Sequence, residues 1–387
     1  MKILFILSRF PYPLEKGDKL RAYHQIKNLS AQHEVIVFAV SDRKVTKEEL
    51  TQVKQVCSRV DIFHLSKFSI LFNLFKAFFG KLPLQVAYFY SARAQQKLKE
   101  FISTEKPDRI FCQLVRTAEY AKAYKSIPTT LDYMDVFSKG VERRLSNAPF
   151  YLRPVYRMEF RRLSSYEKTV FDFFKNKIII SKQDRDLIPH LAKDSIVIIS
   201  NGVDTDYFKP VDSKKEFDIL FSGNMNYPPN IESAEYLVEK ILPLVRKKYP
   251  EIRVLISGAN PNRRILSLAS KNVTVSGWVN DMRENFRRSK MLVAPMFLSI
   301  GLQNKLLEAM AMQIPCITST LANNALGAVN GKSILVADTP EEYAKQIILL
   351  LDNENLAREL SMNGYKFVVE NHSWQKETEK LEKVITA

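Results

Sequence analysis

The sequence predicts two doubly wound α/β domains in tandem. Across residues 1–200, short apolar runs alternate with helical stretches, the signature of a parallel sheet covered by helices. After 194–210 the same alternation begins again and continues to the end of the chain. The length of 387 residues agrees, since it exceeds one ordinary core and suits two domains of roughly 150–200 residues.

In the first half "ILFIL" (3–7), "EVIVFAV" (34–40), "VDIFHL" (60–65), "RIFCQLV" (109–115), "PTTLDYM" (128–134) and "KIIISK" (177–182) read as strands. Helical patterns separate them, for example Leu20 to Ala31 and Arg93 to Ser103. "SNGVDTDYFKPVDSKK" (200–215) contains the expected linker, 201–215, between a first domain at 1–200 and a second at 216–372. A last helix, about 373–387, is expected to return to the first domain. In the second half the strands are "FDILFSG" (217–223), "RVLISG" (253–258), "VTVSG" (273–277), "KMLVAPM" (290–296), "IPCITS" (314–319) and "SILVAD" (333–338). In doubly wound folds ligands bind beyond the carboxyl ends of the strands, so a cleft faced by both sheets is the expected site.

An apolar fraction of 46% with only 11 glycines describes a globular chain and excludes a fibrous or disordered one. Cys57, Cys112 and Cys316 are odd in number and widely spaced, which argues against a disulfide framework or a zinc site and suits a reducing cytosol. The first apolar run ends at Leu7, too short for a signal peptide, and no stretch approaches the ~20 apolar residues of a membrane span. A cytoplasmic protein is expected.

The net charge of +16 is unevenly placed. Residues 1–200 carry 35 Lys and Arg against 20 Asp and Glu, or +15, and the rest is near neutral. A basic half points to an anionic partner or to a solubility surface. Nucleic acid is not expected, because 1–200 lacks the spaced aromatic and basic residues of a known module. Residues 67–91, "KFSILFNLFKAFFGKLPLQVAYFYS", place six phenylalanines among Lys67, Lys76 and Lys81. They read either as a helix covering the core or as one lying on an anionic membrane surface.

Four segments carry candidate chemistry. "RFPYPLEKGDKLRAYH" (9–24) follows the first strand; Gly17 permits close approach of a ligand, and Asp18, Lys19, Arg21 and His24 crowd the helix start. "LFSGNMNYPPN" (220–230) places Gly223 after a strand, followed by Asn224 and Asn226. "VSGWVND" (275–281) sets Trp278 and Val279 beyond another strand end, as the rest for a flat base or as simple packing. In "IGLQNKLLEAMAM" (300–312), Leu302, Leu306, Leu307 and Met310 share a core face.

Gly301 in that last segment frees the amides of Leu302 and Gln303 for a diphosphate, with Asn304 beside them. Lys305 and Glu308 lie three residues apart on another face, either as a solvated ion pair or as part of a ligand site. There Glu308 has the two oxygens needed to accept both hydroxyls of a ribose. "LDYMDVFSKG" (131–140) offers Asp132 and Asp135, for an acceptor hydroxyl or as a helix cap, at a spacing other than Asp-x-Asp. No Ser-His-Asp set, His-rich ligand set or P-loop is visible.

"SNGVDTDYFKP", "LLEAMAMQIPCITST", the "GWVND" turn and the tail "NHSWQKETEKLEKVI" resemble the family-4 retaining glycosyltransferases of GT-B fold. More narrowly, "RFPYPLEKGDKLRAYH", "LDYMDVFSKG", "GNMNYPPN" and "GLQNKLLEAMAM" are similar to sugar transferases of exopolysaccharide clusters associated with exosortase systems. The resemblance implies two doubly wound domains, an acceptor domain first and a donor domain second. It implies transfer, with retention, from a UDP- or GDP-linked sugar to a hydroxyl of a glycan or lipid-linked acceptor, without metal or cofactor. The basic, aromatic-rich first domain suggests a lipid-diphosphate-linked or otherwise anionic acceptor at the inner membrane face.

Glu308 matches the second glutamate of the family's Glu-x7-Glu signature, the ribose ligand. Gly301, Leu302 and Gln303 match the turn that holds the donor diphosphate, and Gly17 the acceptor-domain loop that closes on the donor. Two departures stand out: Ile300 replaces the first glutamate, and the arginine–lysine phosphate clamp after the first donor-domain strand has no counterpart in "GNMNYPPN". Lys305 is expected to supply the missing charge, with Lys19 or Arg21 as the fallback. Asp18 and Asp135 are further catalytic candidates, and His24 and Asp132 are candidates for the acceptor. A non-catalytic nucleotide-sugar-binding homologue and an epimerase of the same fold are the alternatives.

Overall fold

The apolar run that opens the chain becomes a central strand because none of it can face water. In β1 (Lys2–Leu7), Ile3 through Leu7 have no exposure, as expected of a parallel strand covered on both faces. The computed structural model describes residues 1–146, 148–211, 213–297 and 302–387. β1 lies between β2 (Glu34–Ser41) and β4 (Arg109–Gln113), with β3 (Arg59–His64) outside β2. Beyond β4 follow β5 (Thr129–Asp132), β6 (Asn176–Ile179) and β7 (Val197–Ile198). Every neighbouring pair is parallel, in the order β3-β2-β1-β4-β5-β6-β7. The winding reverses between β1 and β4, the place where such sheets open a crevice for ligands.

The second sheet repeats the plan. β8 (Phe217–Ser222), β9 (Val254–Ser257), β10 (Val273–Gly277), β11 (Ser289–Ala294), β12 (Cys316–Thr318) and β13 (Leu335–Val336) are parallel in the order β10-β9-β8-β11-β12-β13. Its switch point lies between β8 and β11. The helices that bear on the sites are α1 (Gly17–Leu29), α2 (Lys67–Phe79), α3 (Leu84–Phe89), α4 (Arg153–Phe171), α5 (Pro228–Tyr236), α6 (Asn304–Ala311) and α7 (Trp374–Thr386). α1 starts three residues before the periodicity suggests, because Leu20 N–H already donates to the Lys16 carbonyl.

The chain divides into two compact units, Met1–Ser200 with Glu377–Ala387, and Asn201–Lys376. Leu381 and Ile385 of α7 enter the core of the first unit beside Phe5, Phe111 and Ile178. Glu382 meets His33 at 2.8 Å, and Glu377 accepts from the Ser200 amide at 2.8 Å.

At the mouth of the second sheet two backbone segments touch so closely that only glycine fits. Gly258 has φ +148°, and a Cβ there would lie 1.6 Å from the Gly223 carbonyl oxygen. Gly223 itself has φ +154°, with the Asn230 amide 2.7 Å from where its Cβ would be. Gly258→Ala is therefore expected to lower stability by roughly 3 kcal/mol or more, read from the urea midpoint. At Gly17 an added Cβ meets nothing within 4 Å, so Gly17→Ala is the control and should cost nothing measurable.

Candidate functional site

In the second unit, the site grows from the end of β8. Beyond Gly223, the Asn224 Oδ1 accepts from the Asn226 amide at 3.0 Å, a local turn that delivers the chain to Pro228 at the start of α5. Asn230, buried in the first turn of α5, donates Nδ2–H to the Asn224 carbonyl at 3.0 Å. That bond fixes the amide so that its Oδ1 faces α6. There it accepts from the Lys305 ammonium at 2.8 Å.

Lys305 is buried, 8% exposed, with unusual company for a cation. Its partners are the neutral Asn230 amide, the Met296 sulfur at 3.7 Å and the face of Phe221 at 4.6 Å. Burial pulls its ammonium down to about 7, against the pull of Glu308. Glu308, one turn further along α6, is half-buried, and burial pushes its carboxyl up to about 7 while Lys305 draws it back. A solvated surface ion pair is thus ruled out. Burying a charge with such neutral partners is costly, and a cation kept there is a candidate for meeting a bound anion.

The start of α6 is only partly described, since Ile300 and Gly301 lie outside the described residues. Leu302 is buried, and Gln303 stands at the N-cap without its side chain capping the helix. Asn304 is engaged with Asn201, whose Nδ2–H reaches its Oδ1 at 3.1 Å. Trp278 is 64% exposed, so packing does not explain it; Val279 beside it is half-buried. Asn224 is half-buried and Asn226 exposed. Asn224 and Asn226 follow β8, and Trp278 and Val279 follow β10; beside them the Gly223 amide donates to the Ser257 carbonyl at 3.0 Å and the Gly258 amide to the Gly277 carbonyl at 3.1 Å.

The first unit corrects several expectations. Arg21 and Asp132 have no exposure at all; the Arg21 Nε–H donates to Asp132 at 2.6 Å and a second guanidinium N–H to the Ser200 carbonyl at 3.1 Å. A contact of either with substrate is not what this arrangement provides: the two charges are consumed by each other in the core. Lys19 is likewise buried and paired with Glu15 at 3.0 Å, and His24 is buried in α1. Asp18, half-buried, pairs with Arg9 at 2.7 Å. Asp135 Oδ1 has no hydrogen-bond partner among the described residues, and burial together with Asp184 pushes its carboxyl up to about 7. A helix cap is not its role.

Sequence reasoning missed Arg9 and Arg116. Both guanidinium groups lie over Phe89, at 5.9 and 5.2 Å, on a cavity of about 320 Å³ lined also by Asp42, Leu74 and Tyr88. Burial and Arg9 pull Arg116 down to about 10, and its Nε–H has no partner among the described residues. Arg9 is already paired with Asp18, so Arg116, which donates to the neutral Gln85 at 2.8 Å, is the cation through which this cavity could hold an anion. The signal in the sequence, an arginine two or three residues beyond each of the two strands at the switch point, is too common to single out.

A seven-stranded and a six-stranded doubly wound parallel sheet in tandem form the architecture of the GT-B fold. Residues 216–353 match the family described as Glycosyl transferases group 1, and the chain as a whole has the GT-B fold. Over 97% of its own length and of the relative's, the chain is 22% identical to an uncharacterized 44.6 kDa protein in the cps region of Klebsiella pneumoniae. Among solved structures it superposes on HepE of Anabaena in complex with UDP-glucose, with a TM-score of 0.71, 12% identity, and 100% and 99% of the two chains covered. A mutant of TarM from S. aureus, in complex with UDP, fondaparinux and alpha-GlcNAc-glycerol, gives a TM-score of 0.72 at 12% identity over 100% of both chains.

Proposed function

We propose that the chain transfers a sugar, with retention and without metal, from a UDP-linked donor to a hydroxyl of an anionic glycan or lipid-diphosphate-linked acceptor in cell-surface polysaccharide synthesis. The observation that carries this reading is the buried Lys305 ammonium with neutral partners, one turn before Glu308. UDP is preferred over GDP because the HepE and TarM structures named above hold UDP or its glucose derivative. The acceptor's anionic group is assigned to the Arg9–Arg116 cavity, and work at the inner membrane face follows from a lipid-linked acceptor.

In this mechanism Lys305 offsets the charge that gathers on the diphosphate as the bond to the sugar breaks, at a position fixed in advance by Asn230. Glu308 accepts the two ribose hydroxyls and orients the nucleoside. We assign to Asp135, whose carboxyl burial pushes up to about 7, the exchange of a proton with an acceptor group. Ile300, where the resemblance expects an acid, favours a second reading, a binding-only homologue. Binding of UDP with no turnover on any donor would decide for it.

The test is calorimetric titration with UDP and GDP, without metal. UDP is expected to bind, and Glu308→Ala to weaken it by about 10–100-fold, the loss of two hydrogen bonds to a charged acceptor. Equal binding by the variant would remove the donor site from α6. The pH profile is a second prediction. UDP binding needs Lys305 protonated and Glu308 ionised, so affinity should peak near pH 7 and fall on both sides. Lys305→Met should remove the alkaline limb and Glu308→Gln the acid limb.

Stability carries the opposite imprint. The raised Glu308 lets the folded state hold a proton between 4.5 and about 7, so its contribution falls as pH rises through that window. The lowered Lys305 leaves the unfolded state binding more protons between about 7 and 10.5, so its contribution rises there.

A further inference from the structure

α2 wears its apolar stripe on the outside. Phe68, Leu71, Phe72, Phe75 and Phe79 recur at the spacing of one helix face, and they are 87, 68, 67, 66 and 75% exposed. The opposite face, with Ile70, Leu74 and Ala77, packs on the core, and Asn73 Nδ2–H donates to the Tyr90 carbonyl at 2.6 Å. At ~100° per residue, Lys67 and Lys76 project about 90° to either side of the outward stripe. Both are exposed, as is Lys81 just beyond the helix.

The helix is also held firmly in this orientation. The Arg162 guanidinium of α4 donates to the Ala77 and Phe78 carbonyls at 2.7 and 3.0 Å, closing the C-terminal end of α2. One turn earlier on α4, the Glu159 carboxylate accepts from the Leu84 and Gln85 amides at 2.7 and 3.0 Å, opening α3. The charged pair on α4 thus fixes the turn that presents the aromatic face to solvent.

We propose that this face of α2 inserts into the headgroup–acyl boundary of a bilayer containing anionic lipid. The helix would lie in the membrane plane, with its phenylalanines among the acyl chains and Lys67 and Lys76 at headgroup level. The charge pattern selects this occupant. A second copy laid face to face would bring the lysines of one basic unit, +15 over residues 1–200, against those of another, whereas an anionic leaflet attracts both lysine rows. None of the described helices is long and apolar enough to cross the membrane, so the attachment is to one leaflet. Leu74, on the inner side of α2, lines the Arg9–Arg116 cavity, so docking sets that cavity beside the lipid headgroups. The proposal stands on α2 and does not depend on the transfer reading.

The test is co-sedimentation of the full chain with vesicles of phosphatidylglycerol and phosphatidylcholine in equal parts, and of phosphatidylcholine alone. The wild type is expected to pellet with the anionic vesicles and far less with the neutral ones. Phe72→Ser/Phe75→Ser should weaken binding at least ~10-fold, since two large apolar side chains lose their insertion. Lys67→Glu/Lys76→Glu should weaken binding to anionic vesicles by roughly 10-fold or more and leave the neutral ones unaffected. All four positions are exposed, so the melting temperature and UDP titration should be unchanged, which separates this test from that of the donor site. Failure of the wild type to bind anionic vesicles, or equal binding by the phenylalanine variant, overturns the proposal. So does a wild-type dimer in solution that the phenylalanine variant converts to monomer, which would assign the face to a second copy.

Discussion

Replacing Lys305 by methionine is expected to lower sugar transfer by about 10²–10³-fold, the loss typical of a fixed donor that stabilises charge in the transition state. The same change should leave stability within about 1 kcal/mol of the wild type, or raise it. Methionine keeps the length and removes the cost of burying an ammonium, while the Asn230 Oδ1 loses its ammonium donor. The two readouts therefore diverge. Unchanged turnover would end the phosphate role of Lys305. A large fall in stability would make it a structural residue, bonded to Asn230 and Phe221 for packing alone.

Arg21 should behave in the reverse manner. Arg21→Met is expected to cost roughly 3–5 kcal/mol in urea unfolding, because Asp132 is then left ionised and unpaired with no exposure to water. Arg21→Met/Asp132→Leu should recover a large part of this loss, since removal of both charges leaves neither stranded. The residual Met134 amide, which donates to Asp132 Oδ1 at 3.0 Å, sets the limit of that recovery. A single variant as stable as the wild type would show that the pair contributes nothing to folding. Two buried cations thus differ in kind. Arg21 meets its counter-charge directly in the core, whereas Lys305 has neutral contacts in Asn230, Met296 and Phe221, with Glu308 one turn away.

The fold class was readable because strand and helix periods are local. "ILFIL", "EVIVFAV" and "RIFCQLV" are apolar on both faces, and such runs separated by helices have few solutions other than a doubly wound sheet. The helix carrying Lys305 and Glu308 was readable too, from Leu302, Leu306, Leu307 and Met310. Less could be read for α2. Apolar residues occupy both of its faces, with only Lys67, Ser69, Asn73 and Lys76 between them, so the pattern alone leaves open which face turns inward. Arg116 was overlooked because an arginine after a strand is ordinary until Arg9 and Phe89 are seen beside it.

By itself, then, the sequence determined the order of strands and helices, the doubly wound class, and which segments start helices beside glycines and charges. The tertiary structure alone decided what each charge faces. Asn230 is 75 residues from Lys305, and Asp132 is 111 from Arg21. A charge's cost and proton affinity depend on the few ångströms of matter around it, and folding gathers that matter from distant parts of the chain. The same lysine-then-glutamate spacing is a solvated pair on an open helix. Beneath Phe221 and Asn230 it becomes a buried cation with neutral partners and a carboxyl pushed up to about 7.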